Sequence, residues 1–312
     1  MADLTSDLAY YASQSAFSDP GMLTGMLDSV PRDVAAMKDA VTPLVFHYMG
    51  DGDWAENGIS PDRRPEIDLR YADRMLGRLR ELSDKPLGEM RAPHERMVGC
   101  CRDFTLLFVS LLRHQGIPAR SRVGFAAYFF AGWNVDHVVA EVWDAAESRW
   151  RLIDPELRAG HVDPTDGVTI DPLDLPRDRF LVGADAWLRC REGGEDPERY
   201  LVSPFLDIPQ TRGFPYLLHN LVHELAALNK REMILWDDWG ISEAWDSLAD
   251  DQLSLLDQTA QTMLASEVTV SDLQRLYDRD EFRVPGVVTS YTSAVENPPI
   301  QVWLRGNAVP SS

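Results

Sequence analysis

A cysteine, a histidine and an aspartate stand in chain order at Cys101, His137 and Asp154. A thiolate is a strong nucleophile, an imidazole can take up and return a proton, and a carboxylate can fix the imidazole's tautomer and stabilise its cation. Together the three can make and break a thioester. Each also has a plainer reading: a small buried thiol, a histidine at a strand entrance, and a turn-forming aspartate followed by Pro155. What decides between these readings is whether the elements around the three residues can bring them together.

The stretch VGCCRDFTLLFVSLLRHQGIP predicts a helix apolar on most of its faces, from Phe104 to Leu112 and on to Gln115. Gly116 suits a left-handed cap and Pro118 forbids continuation, so the N-terminal end falls near Cys101 to Asp103. A thiol there is stabilised as thiolate by the helix dipole and by unpaired backbone N–H groups, which could also hold an oxyanion. Trp54 is a candidate for a second oxyanion donor. The segment VDHVVAEVWDAAESRWRLIDPE alternates as two strands joined by a polar turn. Pairing Trp143 with Ser148 across an Asp144 to Glu147 loop sets His137 opposite Asp154, and a slip of one residue would turn Asp154 to the other face.

The stretch from Gly99 to Glu156 resembles the transglutaminase-like family, whose pattern is a G-x-C-x-[DE] helix start, a D/H-led strand and a strand ending in D-P. Here these are GCCRD, DHVVAEVW and WRLIDP. The resemblance implies a papain-like α+β core, with the nucleophile helix packed on an antiparallel sheet. It makes Cys101 the nucleophile, His137 the base and Asp154 its orienter; Cys100 falls on a variable position, and Gly99 and Asp103 complete the motif. It further implies acyl transfer through a thioester acyl-enzyme, acting on an amide or thioester carbonyl of a peptide or small molecule, with water or an amine as acceptor. The family includes crosslinkers, peptidases, deglycosylating amidases and acyltransferases, so the half-reaction is implied and the substrate is not. Two rivals are a binding or scaffold module that keeps the fold without catalysis, and an acyltransferase taking a carrier-bound thioester in small-molecule biosynthesis.

Around this core, residues 1–90 read as a helical region, 91–200 as the catalytic core, and 201–312 as mainly helical, with helices over Tyr216 to Lys230, Ser242 to Leu264 and Ser271 to Tyr277. The Pro-, Asp- and Gly-rich stretch from about 160 to 215 reads as a long ordered loop. His219 and His223 have metal-ligand spacing, but no HExxH is formed. A helical wheel puts Phe214, Leu217, Leu218, Leu221, Val222 and Leu225 in the buried stripe and both histidines on a solvated face. The pairs Asp237 with Asp238 and Asp250 with Asp251 read as helix-end solvation. No GxSxG, phosphate loop or dinucleotide fingerprint occurs, and no cofactor or metal is indicated.

Fifty acidic against thirty basic residues give a net charge of -20, which repels phosphate backbones and anionic lipid surfaces. The expected partner is a small-molecule or peptide substrate, or a carrier protein, and not nucleic acid or a membrane. Three cysteines, two of them adjacent, make a poor disulfide framework. With no secretory signal and no apolar run long enough to span a bilayer, the expectation is a soluble cytoplasmic protein.

Overall fold

The computed structural model describes residues 2–292 and 298–305. Its elements run α1 (Ala2–Ala12), α2 (Val34–Val41), β1 (Val45–His47), α3 (Ala72–Leu82), β2 (Met97–Gly99), α4 (Cys101–His114), β3 (Ala119–Ala126), β4 (Asn134–Asp144), β5 (Arg149–Ile153) and β6 (Phe180–Val182). They continue as α5 (Gly183–Arg191), β7 (Tyr200–Leu201), α6 (Gly213–Leu228), β8 (Asp237–Asp238), α7 (Asp250–Met263), α8 (Val270–Tyr277), β9 (Val287–Ser290) and β10 (Ile300–Trp303). This is the α+β class, with a principal sheet in the order β5-β4-β3-β6 and β7 added parallel to β4.

The described residues divide between two compact units. One comprises Met1–Ser121, Val138–His161 and Ile170–Leu175; the other comprises Arg122–His137, Val162–Thr169 and Pro176–Ser312. Strands β3 and β4 each change unit along their length, β4 between His137 and Val138.

In the first unit α4 is the central element, buried from Cys101 to Arg113. It ends as its sequence requires. Gly116 takes φ 72°, and the Gly116 and Ile117 N–H groups return to Arg113 and Leu112 carbonyls at 3.0 and 2.9 Å, the paired bonds of a Schellman cap. The helical pattern around α2 stops at Val41 because Thr42-Pro43 breaks it, and Val45–His47 instead pairs in parallel with Met97–Gly99. Strands β4 and β5 form the expected hairpin, with Trp143 opposite Trp150 and their rings 5.6 Å apart. The Arg120 guanidinium lies 4.3 Å over the Trp150 ring and bonds the buried Glu141 carboxylate at 2.8 Å.

In the second unit α5 and α6 pack together, with Ala184, Ala186, Trp187 and Cys190 buried on α5. The stretch from 160 to 215 is therefore not one loop: β6, α5 and β7 lie inside it, because ADAWLRC carries apolar residues at helical spacing that its Pro-rich flanks obscure. Of the expected Ser242 to Leu264 helix, Gly240–Ala244 is a 3-10 turn and the α-helix begins at Asp250. Asp237 is buried in β8 and solvates no helix end. In the C-terminal third, 293–297 and 306–312 lie outside the described residues.

Candidate active site

The GCCRD motif has a local explanation. Cys100 is extended (φ -132°, ψ -177°) and Cys101 is the first residue of α4. The Asp103 carboxylate turns back to accept the Cys100 N–H at 2.9 Å, capping the helix from its third position. Its other oxygen accepts from Arg102 at 3.0 Å, and Arg102 also donates to the Leu69 and Arg70 carbonyls at 3.3 and 2.6 Å. A Cβ on Gly99 would sit 2.6 Å from the Asp103 Oδ2 and 3.0 Å from Val45 Cγ1. Glycine makes room for the capping carboxylate, and the cap leaves Cys101 at the N-terminal end of the dipole.

None of the three cysteines forms a disulfide. Two are held protonated. A hydrogen bond with Cys101 pulls the Cys100 thiol down, but burial and the Asp103 charge outweigh it and raise its pKa. Burial, reinforced by Glu195 and Asp196, pushes Cys190 up to about 12. Cys101 is 4% exposed.

Thr105, one turn after Cys101 and on the same helix face, donates its hydroxyl to the Val138 carbonyl at 2.8 Å. The next residue back along β4 is His137, 2% exposed. Its ring meets Phe129 at 5.0 Å, Tyr128 at 6.2 Å and Phe180 at 6.3 Å, each close to edge-on. These contacts fix the plane of the imidazole within its own unit.

Asp154 is fully buried, one residue beyond β5. Its Oδ1 accepts the Glu156 and Leu157 N–H groups at 2.9 and 3.1 Å, and its own N–H donates to the Pro172 carbonyl at 2.8 Å. The hairpin register differs from the expected one. The closing pair is Asp144 with Arg149, and Ala140 pairs with Ile153, so Val139 rather than His137 is the residue that would stand opposite Asp154. The loop keeps its expected length but slides by one position. Asp144 Oδ1 accepts the Ala146 and Glu147 N–H groups, starting the turn, and Ser148 takes φ 52°, which a strand residue cannot. The slide moves the pairing by two, so the alternation of faces is preserved: Val139 and His137 share one face of β4.

The helix wheel for α6 is corrected. His223 is 2% exposed while Phe214 is 40% exposed, so the histidines do not lie on a solvated face. His219 and His223 stack at 4.1 Å and bond the Leu235 and Asp237 carbonyls, each at 2.8 Å. Glu224, fully buried, holds Arg122 and the Ala184 N–H. The Asp136 carboxylate accepts from Tyr216 Oη at 2.8 Å and Asn220 Nδ2 at 2.9 Å. Burial raises the Asp136 pKa against the pull of those two donors. Burial would lower His219, but the Asp238 carboxylate 3.8 Å away overcomes it and raises the imidazole's pKa.

None of these α6 partners is signalled by spacing, because each bond joins residues far apart in sequence. Trp54, the candidate for a second oxyanion donor, donates its indole N–H to the Tyr48 carbonyl at 3.1 Å and is already engaged. Among the described residues no group of three or more His, Cys, Asp or Glu side chains could hold a metal ion, and no helix is long and apolar enough to cross a membrane.

No curated protein matches the chain. A crystal structure from Cytophaga hutchinsonii, of a protein provisionally assigned as a cysteine protease, is 17% identical with a TM-score of 0.33, covering 58% of this chain and 47% of its own. Residues 83–155, which include Cys101, His137 and Asp154, match the transglutaminase-like superfamily.

Proposed function

We propose that the protein is a cysteine-nucleophile acyl-transfer enzyme in which Cys101, His137 and Asp154 act as a triad. Cys101 Sγ, as thiolate, attacks the carbonyl carbon of an amide or thioester. The carbon–nitrogen or carbon–sulfur bond breaks, and the His137 imidazolium gives its proton to an amine leaving group. Asp154 orients the imidazole and stabilises its cation. The Cys101 N–H, at the start of α4, is one donor for the oxyanion. Water or an amine then attacks the thioester and releases the thiolate, so the outcome is hydrolysis or amide formation according to the access of water.

The observation that carries this reading is the helix start itself: Gly99 and Asp103 build a cap that presents Cys101 while Cys100 is kept as a thiol. A peptide, a small molecule or a carrier-bound acyl group is the partner that suits it. With a net charge of -20, nucleic acid does not. Three cysteines without a disulfide fit a cytoplasmic setting. The test is to incubate the protein with an activated aryl thioester and locate the acyl group by peptide mass spectrometry. An adduct on the Cys101 peptide, labile to hydroxylamine and absent from Cys101→Ala, is expected. Acylation of Cys100 with Cys101 unmodified overturns the assignment.

A further inference from the structure

Lys38 is buried without sufficient reason in its own helix. It is 4% exposed, and Asp39, the acid 3.8 Å from its ammonium, is 79% exposed. A pair with so exposed a partner contributes little, whereas an ammonium taken out of water needs compensation. The face of α2 that carries Lys38 is tied to the turn beside a second acid, Asp154. Thr42, one turn further on and on the same face, donates its hydroxyl to the Pro155 carbonyl at 2.9 Å. That bond keys the helix face to the turn that follows Asp154.

The groups that act on Lys38 most strongly are Asp39 and Asp154, with Arg158 opposing. Burial holds the ammonium's pKa below its usual value, and the two carboxylates offset only part of that fall. Lys38, Thr42 and Asp154 belong to one compact unit.

We propose that Lys38 is a positioning residue of the acyl-transfer centre, a buried cation that keeps Asp154 ionised and so available to orient His137. This rests on the triad reading above. Lys38 lies outside residues 83–155, so the N-terminal helical region supplies part of the electrostatics of the centre.

Removing a buried cation raises the pKa of the acids around it. The lower limb of the pH range in which Cys101 is activated therefore moves upward in Lys38→Met, by about one pH unit, and stays in place in Lys38→Arg.

The experiment is the rate of iodoacetamide alkylation at Cys101 against pH in wild type, His137→Ala, Lys38→Met and Lys38→Arg. An upward shift in Lys38→Met alone supports the proposal. An unshifted limb in Lys38→Met, with Cys101 still activated through His137, overturns the role of Lys38 and leaves the triad standing. A wild-type Cys101 indifferent to His137 overturns the triad and the role of Lys38 with it. If Lys38→Met folds but is too unstable for alkylation across the pH range, its thermal melt at neutral pH is compared with that of Lys38→Met combined with Asp154→Asn. Rescue by the second change supports the pairing, and additive losses overturn it.

Discussion

The N-terminal end of α4 and the polar side of α6 are both buried and both crowded with ionisable groups, yet they are built in opposite ways. At α4 the partners are neighbours in sequence: Asp103 caps Cys100 and holds Arg102. At α6 they are distant, Glu224 reaching Arg122 and Asn220 reaching Asp136. A cap closed within five residues leaves a motif in the sequence. A polar group satisfied from across the fold leaves only an apparently ordinary hydrophilic position.

The largest expected effect is at α4. Cys101→Ala or His137→Ala should lower turnover by about a thousandfold or more with the fold intact, measured on an activated thioester. Cys100→Ala and Cys190→Ala should retain activity. If Cys100 were the essential thiol, the motif would be misaligned by one.

The next effect is at α6. Arg122→Ala strands the fully buried Glu224 carboxylate and should destabilise the protein by about 3–5 kcal/mol in urea unfolding. Combining it with Glu224→Gln should recover part of that loss. Additive losses would show that the pair is not coupled.

Gly99→Ala sharpens the account of the α4 cap. Its methyl group would meet the Asp103 Oδ2 at 2.6 Å, so a loss of about 1–3 kcal/mol is expected, together with slower alkylation of Cys101. An unchanged melt and alkylation rate would show that the carboxylate can move aside freely.

The smallest effect is the titration of His219. Its folded pKa is raised, so its stabilising contribution is complete below the unfolded value of about 6.5 and fades as pH rises through the folded value. Thermal melts of wild type and His219→Gln should therefore differ most near pH 6 and converge in alkali. A difference that grows with pH would mean the imidazole is buried neutral.

The same contrast explains what the sequence disclosed. Helix α4, its two ends and the hairpin are legible because Gly116, Asp103 and the alternation from Val135 to Trp143 act locally. The hairpin register was missed by two because Ser148, an unremarkable residue, adopts a left-handed conformation. Helix α5 was hidden by its proline-rich surroundings. The histidines of α6 were misplaced because the strand that covers them, β8, consists of two aspartates that read as surface. Lys38 and Thr42 carry no motif, since their importance comes from a turn more than a hundred residues away.

The most direct test of the central claim needs no substrate. Alkylation by iodoacetamide is followed at each cysteine against pH, in wild type and His137→Ala. The account predicts that Cys101 reacts well below pH 8.5, the usual thiol range, and loses this when His137 is removed, while Cys100 and Cys190 stay slow. A Cys101 that is inert in the native protein and indifferent to His137 would contradict it.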